Sequence, residues 1–229
     1  MKKGFVLFLI TWMTMPIALF GQSYADLWRQ VKEDERKDLP QTECEVLHQI
    51  ASKAAKEKAY GQLLKAELMV AQVKAGIAPD SLKPAVERLQ HRCNAEQDEV
   101  LRMVFQTVLW RVCQESGFWS LEVEDGNLEM EEKPLLTKEL CQKLALIKDE
   151  TYEPFVITGV DSKLYNHDLL SIIGYELGDY QALHDYYEKA GNRPAACLTA
   201  LEEIRGSKEE RDDKYLERLD SLIRIYNDL

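Results

Sequence analysis

The feature that most limits what this chain can become is a succession of apolar stripes with helical spacing, each ended by a short break. Tyr24, Leu27, Trp28 and Val31 fall at i, i+3, i+4 and i+7, which gathers them on one face and leaves Arg29, Lys32 and Glu33 to water. Leu39-Pro40 closes that helix and opens the next, because proline fits a first turn and disfavours helix at the residue before it. The second stripe holds Leu47, Ile50, Ala51 and Ala54. A third helix, predicted over 58–75, is apolar on a broad face through Tyr60, Leu63, Leu64, Leu68, Ala71 and Val73, so it should pack on two sides, with Gly76 as its cap.

The pattern continues through most of the 229 residues. Ala78-Pro79-Asp80-Ser81 reads as a turn in which Asp80 or Ser81 accepts from the first free amides of a helix burying Val86, Leu89 and Cys93. Leu101, Val104, Phe105, Val108 and Val112 form the next stripe, widened by Trp110. Thr137 is placed to cap a helix with Leu140, Leu144 and Ile147 inward. Four further stripes follow: Leu169, Ile173 and Leu177; Tyr180, Leu183 and Tyr187; Cys197, Leu201 and Ile204; and Leu216, Leu219, Ile223 and Tyr226.

Eleven glycines and seven prolines are too few for a turn-rich β-sandwich. The expectation is therefore an all-α fold of about ten helices, an array of antiparallel helix pairs that is either tetratricopeptide-like or an irregular bundle. Two segments depart from helix. Leu121, Val123, Leu128 and Met130 alternate with acidic residues around Asp125-Gly126, so 118–133 reads either as a small acidic hairpin or as an irregular loop. Tyr152 to Lys163, holding Pro154 and Gly159, reads as an extended linking segment. The chain divides accordingly into 1–21, a helical subdomain at 22–116, the acidic stretch with one helix and the link at 117–163, and helical pairs at 164–229.

Residues 1–21 have the layout of a secretory signal peptide: Lys2 and Lys3, an apolar run from Phe5 to Phe20, and small Gly21 before Gln22. A membrane anchor is the competing reading, and Pro16 inside the run together with Gly21 at its end favours cleavage. The chain is thus expected to be exported, to a periplasm or beyond the cell, with no stable membrane insertion after cleavage.

Export bears on the cysteines, since an oxidising compartment permits disulfides. Cys44, Cys93, Cys113, Cys141 and Cys197 are odd in number, widely spaced and each inside a helical stripe, which favours buried reduced thiols over a disulfide framework. With 29 basic residues against 40 acidic, the net charge of −11 repels phosphate backbones and argues against nucleic acid as a partner.

No catalytic constellation emerges. His184 and Glu188 lie at i, i+4, a spacing able to hold a metal, but no second histidine joins them and a solvated helix pair is the plainer reading. Asn166-His167-Asp168 looks like a polar helix N-terminus. The acidic run of Glu122, Glu124, Asp125, Glu129, Glu131 and Glu132 reads as a solvated face rather than as glycosidase carboxylates. Glycine-rich phosphate loops, nucleophile elbows and paired-histidine zinc motifs are missing from the sequence. No catalytic, cofactor-binding or metal-ligating residue is therefore expected, and neither is a small-molecule ligand.

Two resemblances add to this. Leu170, Gly178, Tyr180, Tyr187, Ala190 and Pro194 follow the spacing of one tetratricopeptide repeat, with Gly178-Asp179-Tyr180 as the turn between its helices and Leu183 where that pattern prefers alanine. Tyr24-Ala25-Asp26-Leu27-Trp28-Arg29-Gln30-Val31, Lys37-Asp38-Leu39-Pro40-Gln41-Thr42 and Glu57-Lys58-Ala59-Tyr60-Gly61-Gln62-Leu63-Leu64-Lys65-Ala66 resemble the start of the large exported bacterial alpha-2-macroglobulin-like proteins. Gly159-Val160-Asp161-Ser162-Lys163-Leu164-Tyr165-Asn166-His167-Asp168-Leu169-Leu170 and Gly191-Asn192-Arg193-Pro194-Ala195 resemble a later stretch of the same helical region.

That likeness implies a helical region ahead of macroglobulin domains, in a family that entraps proteases after cleavage of a bait segment, some members through a Cys-x-Glu-Gln thioester. Here Cys113-Gln114-Glu115 runs into Ser116, so the thioester glutamine is missing. The chain is expected to be a non-catalytic scaffold or interaction module of such a protease-inhibitor-like protein, serving protein partners or the remainder of a larger chain. A free-standing periplasmic tetratricopeptide-like adaptor is the alternative. The apolar residues running almost to Leu229 suggest continuation of the natural chain.

Overall fold

The computed structural model describes residues 22–115, 132–206 and 213–229. The acidic stretch read as hairpin or loop lies outside the described residues except for its last two positions, and so does the leader apart from its junction. Among the described residues the fold is all-α, with ten α-helices and no strand. None of the described helices is long and apolar enough to cross a membrane.

The first three helices form a layer of their own. Helix α1 (Tyr24–Arg36) starts where the Ser23 hydroxyl accepts from the Asp26 amide at 3.2 Å. Its turn into α2 (Pro40–Glu57) is closed by the Leu39 amide on the Asp34 carbonyl at 3.0 Å, with Pro40 in the first turn. Helix α3 (Tyr60–Ile77) lies against α2, and Leu27, Val31, Leu47, Ile50, Ala66 and Val70 bury one another between the three.

A second, larger core begins on the other side of α3 and extends to α10. It is built from α4 (Leu82–Ala95), α5 (Glu99–Glu115), α6 (Lys138–Ala145), α7 (Leu169–Leu177), α8 (Tyr180–Lys189), α9 (Arg193–Gly206) and α10 (Asp213–Ile225). Leu64 of α3, Phe105 and Leu109 of α5, Leu144 of α6, Leu170 of α7, Leu183 and Tyr187 of α8 and Ala196 of α9 are fully or almost fully buried in it. The double burial of α3 thus follows its broad apolar face.

Two glycines fix how close the elements come. A side chain at Gly61 would place its first carbon 2.1 Å from the Tyr152 carbonyl oxygen, so the loop after α6 can rest its backbone on α3 only because position 61 is bare. At Gly174 the same atom would fall 2.4 Å from a methyl of Leu183, which is where α7 and α8 cross. The turn between those helices is the one read from Gly178-Asp179-Tyr180, with Gly178 left-handed at φ +61°.

The structure corrects four readings. Gly76 sits inside α3, which runs on to Ile77 and stops at extended Ala78, the residue that Pro79 holds out of helix. Ser81 does not cap α4 with its side chain; its hydroxyl donates back to the Ala78 carbonyl at 2.7 Å. The linking segment is extended only in part: Glu153 and Gly159 have extended backbone, but its end, Val160–Tyr165, is a 3₁₀ helix, as is Asp149–Tyr152 at its start. In α10, Leu216 and Ile223 point to solvent at 61% and 66% exposure, while Leu222 and Tyr226 pack inward.

Candidate functional site

Two places gather polar side chains. The first lies under the N-terminus of α7. Asp168 caps that helix, its Oδ1 accepting from the Ser171 amide at 2.9 Å, as the Asn166-His167-Asp168 pattern led one to expect. The Tyr187 hydroxyl of α8 donates to Oδ1 and Oδ2 at 2.8 and 3.1 Å. Burial pushes the Asp168 carboxyl up, against the pull of the Ser171 and Tyr187 hydrogen bonds, and burial beside that carboxylate pushes the Tyr187 phenol up too.

Asp149 and Ser162, which no local pattern singled out, complete this cluster. Asn166 and His167 are both left-handed, at φ +56° and +55°, and that double turn brings the His167 carbonyl back to the Asp149 amide at 3.0 Å. The Ser162 hydroxyl donates to Oδ2 of Asp149, and His167 Nδ1 lies 3.2 Å from the hydroxyl oxygen and 3.5 Å from Oδ2.

Serine, histidine and aspartate therefore meet, but not in the order nucleophilic catalysis needs. In a working triad the imidazole stands between the other two and the carboxylate holds its far nitrogen. Here the hydroxyl proton already points at the carboxylate, and one imidazole nitrogen faces both partners. Ser162 is buried, and it lies outside the groove between α8, α9 and α10. The arrangement ties the two 3₁₀ turns to the start of α7.

The second place is the groove between α8, α9 and α10, about 780 Å³ in volume. His184 and Glu188 do share a helix face, and they share a partner from another helix: His184 Nε2 is 3.1 Å from the Tyr226 hydroxyl, which donates to Glu188 at 3.0 Å. The pair, exposed at Glu188 and half-buried at His184, fastens the end of α10 to α8. Arg193 lies over the Tyr226 ring at 5.0 Å and donates to the Ile225 carbonyl and to Asp228 at 2.8 and 2.7 Å. Burial, and then Glu188, push the Tyr226 phenol up to about 12.

Apolar Ala200, Ile204, Leu222 and Ile225 line this groove, with Glu203, Glu217, Lys214 and Arg218 along its edges. Glu203 and Arg218 approach at 3.4 Å. Among the described residues, no group of three or more histidine, cysteine, aspartate or glutamate side chains is arranged to hold a metal ion. Cys44, Cys141 and Cys197 carry free thiols, and burial raises all three. Cys93 is buried and directs its thiol at the Arg102 carbonyl. Position 113, compared above with a thioester cysteine, lies within α5. No family model, no curated protein and no solved structure matches the chain.

Proposed function

We propose that this chain is a non-catalytic helical scaffold that holds a protein partner, or the remainder of a larger chain, on the face made by α10. The observation that carries the reading is the outward row of Leu216 and Ile223. They stand seven residues apart on the outward side of the helix, exposed to water, across α10 from the side whose Leu222 and Ile225 line the groove. Two large apolar side chains on one outward helix face give a protein partner apolar area to cover. The setting we assign is an exported, alpha-2-macroglobulin-like protein, on the strength of the leader layout and of the stretches at 24–31, 37–42, 57–66, 159–170 and 191–195.

The second reading, a periplasmic tetratricopeptide-like adaptor gripping a peptide, is supported by the open groove between α8, α9 and α10. A photo-cross-linking residue at Ile223, with the same residue at exposed Ile77 as control, tests the outward face of α10 in the cell that makes the protein. A discrete protein adduct at Ile223 alone is the expected result, and its mass separates a whole-protein partner from a short peptide. Adducts equal at both positions, or at neither, would count against the α10 face. Purified chain should not inhibit proteases by itself; stoichiometric loss of protease activity would contradict the scaffold reading.

A further inference from the structure

The corner where α1 turns into α2 gathers acids without a cation to match them. Asp34 and Glu35 stand in the last turn of α1, Asp38 follows in the connecting turn, and Glu43 lies in the first turn of α2. Backbone hydrogen bonds draw the two ends together: the Leu39 amide donates to the Asp34 carbonyl and the Glu43 amide to the Leu39 carbonyl, both at 3.0 Å. The cations of this end are engaged elsewhere. Arg36 donates to the Lys32 carbonyl, and Lys37 lies 3.7 Å from Glu33.

Two of the acids are buried. Asp34 and Glu43 are each 6% exposed, and Asp34 Oδ2 is the one side-chain oxygen or nitrogen, among the described residues, that is sealed from water without a hydrogen-bond partner. A sealed acceptor is costly unless a donor reaches it. Its place adds to the cost, since the carbonyl end of α1 disfavours negative charge. The charges acting on Glu43 are those of Glu35 and Asp34, both on α1; from α3, which also packs on α2, Lys74 acts on Cys44 and His48. Burial, then Glu35, then Asp34 push the Glu43 carboxyl up, and the free amides at the start of α2 do not offset them.

We infer that this corner is a proton-operated latch, in which Glu43 carries a proton shared with Asp34 and the loss of that proton frees the end of α1. The hydroxyl of a protonated Glu43 supplies the donor that Asp34 Oδ2 lacks. Once it ionises, three carboxylates face one another. A carboxyl shifted upward on folding stabilises most at low pH and loses that contribution as pH rises through its folded value, so the latch opens with rising pH. Val31, one turn before Asp34, belongs to the buried layer of α1, α2 and α3, and loosening there admits water to that layer. The latch is separate from the α10 face and does not depend on it.

The test is nuclear magnetic resonance of the purified chain at a series of pH values. It follows the side-chain carboxyl carbon of Glu43, assigned through its bonds to the backbone, and amide exchange across 31–37, corrected for the intrinsic effect of pH. The Glu43 carbon should titrate above its ordinary value of 4.5, and Asp34→Asn should bring that titration down. Corrected exchange across 31–37 should rise several-fold through the same titration, and should stay flat in Glu43→Gln, which cannot ionise. The carbon titration in Asp34→Asn decides the matter even where Glu43→Gln does not fold. Titration of Glu43 at or below 4.5, a titration that Asp34→Asn leaves in place, or exchange across 31–37 that rises alike in the unmodified chain and Glu43→Gln would each overturn the latch.

Discussion

The hydroxyl of Tyr187 on α8 donates to both oxygens of the Asp168 carboxylate at the start of α7, locking the two helices together at a buried point. Tyr187→Phe leaves that carboxylate short of a donor without changing the packing of the ring. The expected cost is about 1–3 kcal/mol, the penalty of an unsatisfied buried acceptor. Urea unfolding followed by dichroism measures it, and an unchanged midpoint would show that the bond contributes nothing.

The same carboxyl sets a pH dependence. Burial raises Asp168 in the folded chain above its ordinary value of 3.8. A group shifted upward on folding stabilises fully below its unfolded pKa and loses that contribution as pH rises through the folded value. The contribution of Asp168 to stability should therefore decline as pH climbs from about 4. In Asp168→Asn, which keeps a capping acceptor but cannot ionise, this part of the decline should vanish. Parallel curves for the two proteins, from unfolding at a series of pH values, would refute it.

Two glycine substitutions on one helix should act in opposite directions. Gly61→Ala forces a carbon into the Tyr152 carbonyl, and backbone cannot step aside as a side chain can, so a loss of about 3 kcal/mol is expected. Gly76→Ala meets nothing within 4 Å inside the same helix and should stabilise by about 0.5–1 kcal/mol. Melting temperatures of the two variants give the signs directly.

The contrast also marks what could be read from the amino-acid order. Apolar periodicity is a local property, and it placed Leu27, Val31, Leu47, Ile50, Val104 and Phe105 in the interior, where they are. The position of Gly76 in the pattern suggested a helix end, yet nothing near it demands a left-handed residue, and the helix continues until Pro79 intervenes. The segment after Tyr152 looked extended because its 3₁₀ turns are held from far away. Asn192 donates to the Leu164 carbonyl at 2.8 Å and Ser162 reaches Asp149, contacts that no window of sequence contains. Helix α10 departs from its expected stripe for a different reason: it is apolar on two sides, and the side that turns inward is the one whose Leu222 joins the core and whose neighbour Tyr226 bonds to α8.

Replacing Ser162 separates structure from chemistry at the histidine cluster. Ser162→Ala removes a donor from buried Asp149 and should lower stability by about 1–3 kcal/mol. Wild-type protein and variant should be equally inert toward activated esters, as the orientation of the hydroxyl implies. Ester turnover by the wild type that the substitution abolishes would make Ser162 a nucleophile.

The scaffold account is tested most directly by hydrogen exchange on the chain alone and on the chain joined to the partner captured at Ile223. The account requires slowed amide exchange across 214–226, with the α1–α3 layer unchanged. Slowing confined to the α1–α3 layer, or none anywhere, would contradict it.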